Sequence, residues 1–254
     1  LSLALAVVLC LSLLPTAFAA GTNCSYTVIA GGVSHSLAVK SDGSVWAWGS
    51  NSAKQAVPSS NSQSIAKAEQ VPSLSSAVSV AAGSDFSAAL LSDGTISVWG
   101  GGKGISKVPG LNNVASISAG QSTLLALKRD GTVWQWPFGV SVPTQVPGLQ
   151  NISAVSAGGG HYLALNRSGQ VWAWGSNTSG QLGVGSTEGR IDTPKMINGL
   201  SDIISIAAGY SHSLAVEHSG QVYAWGSNGN GQLGNDTTTN SNTPQAVLNI
   251  KKAV

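Results

Sequence analysis

An Ala-Gly corner, a stretch such as His212-Ser213-Leu214-Ala215-Val216, an Asp-Gly or Ser-Gly turn and a segment such as Val45-Trp46-Ala47-Trp48-Gly49 recur five times along this chain. The corner glycines are Gly32, Gly83, Gly120, Gly158 and Gly209, and seventeen positions after each stands Gly49, Gly100, Pro137, Gly175 or Gly226. A constant internal distance kept over five copies settles the architecture before any single residue is interpreted. Each copy is one supersecondary unit, and the copies bury their apolar faces by stacking on one another.

Within the block the residues alternate with period two. Val45-Trp46-Ala47-Trp48, Val133-Trp134-Gln135-Trp136, Val171-Trp172-Ala173-Trp174 and Val222-Tyr223-Ala224-Trp225 set aromatics against small residues, with Ile96-Ser97-Val98-Trp99 as a worn copy. That alternation places the aromatics on one face of a strand. All eight tryptophans of the chain lie in these segments. Each ring buries on the order of 200 Å² when packed, so the set reads as core rather than as a ligand platform. The triplets Leu37-Ala38-Val39, Ala88-Ala89-Leu90, Leu125-Ala126-Leu127, Leu163-Ala164-Leu165 and Leu214-Ala215-Val216 place larger apolar residues around a central alanine. A strand with only alanine on its second face is approached closely by the next sheet.

Asp42-Gly43, Asp93-Gly94, Asp130-Gly131, Ser168-Gly169 and Ser219-Gly220 join these two strands as tight hairpins, glycine supplying the positive φ. A further strand enters each corner at Val78–Val80, Val114–Ile117, Ile152–Val155 and Ile203–Ile206. A fourth is expected around Val71-Pro72, Val142-Pro143, Pro194–Ile197 and Pro244–Val247, where proline suits a sheet edge. Small four-stranded antiparallel sheets stacked radially with aromatics between them form a β-propeller. A β-solenoid, the competing architecture, has shorter coils and no hairpin within each unit. The chain thus reads as all-β, a propeller with repeats at about 27–72, 78–109, 114–147, 152–197 and 203–247, and with residues 248–254 opening a further copy.

The consensus Ile-Ala-Ala-Gly-x-x-His-Ser-Leu-Ala-Val-x-x-x-Gly-x-Val-Tyr-Ala-Trp-Gly-x-Asn-x-x-Gly-Gln-Leu-Gly closely resembles the repeat of the regulator of chromosome condensation family. It is fullest from Ile206 to Gly234 and is matched again from Val155 to Gly183, and the likeness runs from about Ile29 to Ile250. The second and third copies are trimmed: corner-to-corner steps of 37 and 38 residues contrast with 51 on either side, and both copies lack the Gly-Gln-Leu-Gly segment. In the first copy Lys54-Gln55-Ala56-Val57-Pro58 replaces that segment. Such trimming is similar to secreted bacterial members of the family, among them a propeller that inhibits β-lactamases. Seven blades are common in the family, so five copies read as an incomplete ring. A five-bladed ring, closed by Ala253-Val254 against Thr27–Ala30, is the alternative.

The first twenty residues differ in kind. Leu1 to Leu14 is nearly unbroken apolar sequence, followed by Pro15 and Ala17-Phe18-Ala19-Ala20, the pattern of a secretory signal with its cleavage site. A membrane anchor is disfavoured, because about 20 apolar residues are needed to span. The expected product is residues 21–254, exported and not inserted in a membrane, with Cys24 as its single thiol and hence no internal disulfide. Charged residues make up 9% of the chain and the net charge is +2, which leaves no basic field for a nucleic-acid backbone.

Catalytic motifs are not evident. His35, His161 and His212 share one repeat position that Phe86 and Thr123 fill elsewhere, so a packed or hydrogen-bonded ring near the corner is expected rather than a general base. His218 falls in a hairpin turn. No zinc spacing, phosphate loop or nucleophile elbow is present, and no metal or cofactor is expected. The corner loops remain, where copies differ on a constant scaffold: Val33-Ser34, Ser84-Asp85, Gln121-Ser122, Gly159-Gly160 and Tyr210-Ser211. Ser84, Asp85, Gln121 and Tyr210 are the candidate binding residues. A tight inhibitor would show several aromatic anchors there, and Tyr210 is the only one, which argues against β-lactamase inhibition. The expected function is a secreted or cell-surface module, monomeric, that binds another protein or a cell-surface component. Two alternatives stand beside it: guanine-nucleotide exchange on a Ran-like GTPase, which the resemblance implies, and an enzyme acting on extracellular polysaccharide with carboxylates such as Asp85 or Asp192.

Overall fold

The computed structural model of the protein describes residues 28–250 and residue 253; the expected signal, Cys10 and Cys24 lie outside them. Every element described is a strand, and the strands form five antiparallel four-stranded sheets. The first holds β1 (Val28–Gly31), β2 (His35–Val39), β3 (Val45–Ser50) and β4 (Ser64–Gln70). The second holds β5 (Ala77–Ala82), β6 (Phe86–Leu91), β7 (Ile96–Gly100) and β8 (Lys103–Lys107). In the third are β9 (Val114–Ala119), β10 (Thr123–Lys128), β11 (Val133–Pro137) and the short β12 (Thr144–Gln145). The fourth contains β13 (Ile152–Ala157), β14 (His161–Asn166), β15 (Val171–Ser176) and β16 (Arg190–Met196). The fifth contains β17 (Ile203–Ala208), β18 (His212–Glu217), β19 (Val222–Gly226) and β20 (Ser241–Ala246). Strand order follows sequence order in every sheet.

The hairpins between second and third strands are built as their sequence demands. Gly43 has φ 78°, and the Asp42 carboxylate accepts both the Ser44 amide at 2.9 Å and the Ser44 hydroxyl at 2.6 Å; Asp93 with Thr95 and Asp130 with Thr132 repeat the arrangement. A Cβ on Gly43 would also stand 2.7 Å from the Ser76 amide nitrogen, because the start of the next sheet is laid against the turn. The Ala77 amide donates to the Gly43 carbonyl, as Val114 does to Gly94, Ile203 to Gly169 and Ala253 to Gly220.

The fourth strand lies upstream of its expected place. That holds for the first, fourth and fifth sheets, where it ends at Gln70, Met196 and Ala246, one residue before Val71, Ile197 and Val247. In the third sheet it is Thr144–Gln145, just after Val142-Pro143, and β8 of the second sheet had no expected counterpart, but β8 and β12 likewise end, at Lys107 and Gln145, one residue before a valine. Those residues instead act as anchors: the amides of Val71, Val108, Val146, Ile197 and Val247 donate to Val45, Ile96, Val133, Val171 and Val222, the first residues of the third strands. The outer strands are mostly exposed and polar, so no alternation marked them.

Four apolar clusters lie between the sheets. In the first, Leu37, Val39, Val45 and Ala47 of one blade meet Ala89 and Trp99 of the next. The same composition recurs with Leu90 and Ile96 against Ala126 and Trp136, Leu125 and Val133 against Ala164 and Trp174, and Leu163 and Val171 against Ala215 and Trp225. The alanine row is thus where the preceding blade's larger side chains seat, as expected from the sequence. At roughly 25 cal/mol per Å² of apolar surface, these interfaces are where the folding energy resides.

First strands touch in the order β1, β5, β9, β13, β17, so they line the axis; no contact of comparable extent joins β17 to β1 among the described residues. The five blades form an open arc, and Ala253 bonds back to the fifth hairpin rather than joining β1. Among the described residues the five blades do not close on one another into a five-bladed ring.

Candidate functional site

Each blade meanders, so the corner between first and second strands lies at one end of the sheet and the hairpin at the other. All five corners therefore gather on one face, and the backbone links them directly. The Val33 amide donates to Gly83, Ser84 to Gln121 at 2.8 Å, Gln121 to Gly158 at 3.3 Å and Gly159 to Tyr210 at 3.0 Å. Serines on the axial strands reinforce the row: Ser118 Oγ accepts the Ala157 amide and Ser156 Oγ accepts the Ala208 amide.

The row permits this closeness because its glycines carry no Cβ. A Cβ at Gly158 would run into the Gly209 carbonyl and lie 2.8 Å from His161 Nδ1; one at Gly159 would stand 2.5 Å from the Tyr210 carbonyl and 3.0 Å from its ring. Tyr210 consequently lies across the fourth blade, and its hydroxyl donates to Gln121 Oε1 at 3.2 Å, joining the fifth blade to the third. The ring stays 67% exposed.

The candidate residues are thus brought onto one rim. Ser84 and Gln121 are bonded through the backbone, Gln121 and Tyr210 through side chains, and Asp85 projects into solvent beside Ser84. Val33 is also exposed on this rim. Asp192 is elsewhere: it sits on β16, the outermost strand of the fourth blade, and pairs with the exposed Arg190 at 2.6 Å. It does not face Asp85. Among the described residues no group of three or more His, Cys, Asp and Glu is placed to hold a metal.

Beneath the rim lie the corner histidines. His35 Nε2 stands 2.8 Å from Ser87 Oγ of the next blade, and His161 Nε2 stands 2.8 Å from Ser213 Oγ. Each serine hydroxyl gives its proton to a carbonyl, Gln55 or Gln181, so it accepts from the imidazole, and Nε2 carries the ring proton. The two Nδ1 atoms are buried without a hydrogen bond. Protonating them would strand a charge, and burial pushes both rings down to about 4, against a slight opposing pull from Asp85 at His35. At His161 the neighbouring His212 adds to the depression. These rings are packed and hydrogen-bonded near the corner, as expected from the sequence, and their lowered pKa leaves them uncharged at neutral pH.

A profile of the regulator of chromosome condensation (RCC1) repeat matches residues 168–216 and 219–254, and a second profile of the same repeat matches 27–55, 77–103, 152–181 and 203–232, together more than half the chain. The chain belongs to the RCC1 repeat family. Its similarity to human E3 ubiquitin-protein ligase HERC2 is 44% identity over 73 residues, 28% of this chain and 2% of HERC2. An RCC1 domain-containing protein of Dictyostelium discoideum is 32% identical over 102 residues, 30% of this chain and 20% of that protein. In fold, the chain resembles yeast RCC1 (Prp20), solved bound to Kap60, with TM-score 0.76 at 21% identity over 85% of this chain and 59% of that one. Human WBSCR16 gives TM-score 0.74 at 23% identity over 86% and 66%. The chain spans less than two thirds of each of these relatives. The RCC1 fold also accounts for the Gly-Gln-Leu-Gly segments: Gln181 Oε1 accepts the Ser179 amide and Gln232 Oε1 accepts the Asn230 amide, each at 2.8 Å. Gln55 does the same for Ala53, and Lys54 takes φ 63° where the others have Gly180 and Gly231, so the first copy keeps the loop under a different sequence.

Proposed function

We propose that this RCC1 propeller is a binding module that engages another protein, or a proteinaceous cell-surface component, through the corner rim formed by Ser84, Asp85, Gln121 and Tyr210. The observation that carries this reading is the Tyr210–Gln121 bridge: a large aromatic lies exposed over a glycine notch, held by a partner two blades away. Tyrosines with restricted rotamers are favoured anchors in protein interfaces, since little freedom is lost on binding. A polar rim whose one charged member is Asp85, and a weak net charge, suit recognition by shape. Protein partners of a similar propeller support it too, yeast RCC1 having been solved with Kap60 and Prp20p characterised for binding to Gsp1p and histones. The N-terminal apolar run supports an exported location, with residues 1–20 removed.

The test is capture of partners from the producing cell's medium and envelope by the purified chain. Tyr210→Ala and Gln121→Ala are expected to lose a partner that His218→Ala, on the opposite hairpin face, retains. Equal capture by all three variants would refute the rim as the binding surface.

A further inference from the structure

The second and third blades lack the loop that caps the corner end of the other three. Third and fourth strands are joined by residues 51–63, 177–189 and 227–240 in the first, fourth and fifth blades, but by Gly101-Gly102 alone in the second and by residues 138–143 in the third. The trimmed blades are neighbours, packed between the first and the fourth, so together they leave a notch in the corner face flanked by the loops at 51–63 and 177–189. The Gly102 amide donates to the Ala53 carbonyl at 2.9 Å, which seats the first of these walls against the floor. That floor is apolar and held in place. Phe138 stacks on Phe86 and covers Gly101, where a Cβ would stand 2.7 Å from the ring. The Trp136 indole donates to the Val140 carbonyl at 2.8 Å, and Pro143 beyond it is buried. Val140 and Val142 are nonetheless 49% and 62% exposed. Bare backbone extends the floor at Gly104: its φ is not left-handed and nothing lies within 4 Å of its missing side chain, so neither turn nor internal packing calls for glycine in this strand.

The notch is continuous with the rim. The Phe138 amide donates to the Ser122 carbonyl at 2.8 Å, beside the Gln121 that holds Tyr210, and the Gly101 amide donates to the Asp85 carbonyl at 2.9 Å. Asp85 has no cationic partner among the described residues: the ion pair they contain joins Arg190 to Asp192, Lys54 is spent on the Ser60 carbonyl of its own loop, and Lys103 stands on the outer strand. An unpaired carboxylate beside an apolar floor is complementary to a segment that is apolar and carries a basic residue. The flanking loops hold a broad folded surface off the floor, whereas a single extended chain enters between them. We propose that the notch receives one extended segment of a protein partner, with apolar side chains on Phe138, Val140 and Val142 and a basic side chain on Asp85. The inference rests on the corner rim being the binding face and adds what is bound there.

Short random peptides displayed on phage serve as the probe, panned on the purified full chain and counter-selected on a Val140→Ser, Val142→Ser double variant. Both valines are exposed loop residues, so the variant is expected to melt close to the parent. Enriched peptides are expected to share apolar residues and a lysine or arginine, and in fluorescence anisotropy to bind the double variant about tenfold more weakly. Asp85→Lys should weaken them about threefold, and a glutamate in place of the peptide's basic residue should restore binding to that variant. Peptides that bind the double variant as tightly as the parent, an acidic consensus, or no enrichment above panning on the bare support would overturn the proposal. Notch and rim are separated by a host protein captured from the medium or envelope. Capture that needs Tyr210 but is undiminished in the double variant overturns the notch and leaves the rim reading standing; capture indifferent to Tyr210 and to both valines refutes the two together.

Discussion

Acidification from about pH 6.5 to about pH 5 should weaken the fold chiefly through its two most deeply buried imidazoles, His35 and His161, with His212, also lowered by burial, acting in the same direction. In the unfolded chain each of the first two takes a proton near its ordinary value of 6.5; in the folded chain each refuses it until about 4. The unfolded state therefore binds more protons throughout this window, so stability is constant above it and falls as the pH drops. One unit of displacement corresponds to about 1.4 kcal/mol, so one and a half units cost about 2 kcal/mol per histidine and about 4 kcal/mol for the pair. That is a large share of the roughly 5–15 kcal/mol by which domains are stable. The turn aspartates Asp42, Asp93 and Asp130 do not confuse the measurement: hydrogen bonds from Ser44, Thr95 and Thr132 hold them below 3.8, so their effect begins at lower pH. Urea titrations followed by tryptophan fluorescence suit the assay, because Trp99, Trp174 and Trp225 are buried at the blade interfaces. The His35→Gln, His161→Gln double variant keeps an amide donor for each serine and has no proton to gain. It should lose most of the pH slope between 6.5 and 5. A slope in the variant equal to that of the parent would refute the assignment of acid sensitivity to the corner rings.

Other consequences follow from the same geometry. Gly158→Ala drives a Cβ into the Gly209 carbonyl and against His161; a loss of about 3 kcal/mol or more is expected by calorimetry, since backbone has to move. Asn177 is fully buried, accepting the Leu182 amide and donating to the Ser186 carbonyl; Asn177→Ala should cost about 2 kcal/mol and speed amide exchange in residues 178–189 selectively. Tyr210→Phe removes an exposed hydrogen bond to Gln121 and should change stability by less than about 0.5 kcal/mol in thermal melts, while freeing the ring's orientation and weakening partner capture.

The blade cores were readable because their signals are local and repeated. Period-two alternation, the Asp-Gly and Ser-Gly turns and the alanine triplets each report on a strand and its immediate neighbours, and five copies reinforce one another. The edge strands were missed at Ser64–Gln70 and only partly placed at Arg190–Met196, because the first buries Ile65 alone and the second has no fully buried residue to impose a pattern; pairing with the third strand defines their extent. In the trimmed blades, the filling of the vacated space was also hidden. Phe138 stacks on Phe86 at 4.7 Å and meets Trp136 edge-on at 5.7 Å, a solution that one copy uses and no repeat could advertise. At the rim, variability between copies pointed to Ser84, Asp85, Gln121 and Tyr210. Their union could not be read, because Tyr210 and Gln121 are separated by 89 positions and meet only through arc geometry and the missing Cβ of Gly159.

A photoreactive residue carried in place of Tyr210, compared with one in place of His218 in the otherwise unchanged protein, locates the partner surface within the native host. Binding through the corner rim predicts a discrete crosslinked protein from position 210, competed by unlabelled chain, and none from position 218. The same adduct from the hairpin face, or adducts from position 218 alone, would contradict it.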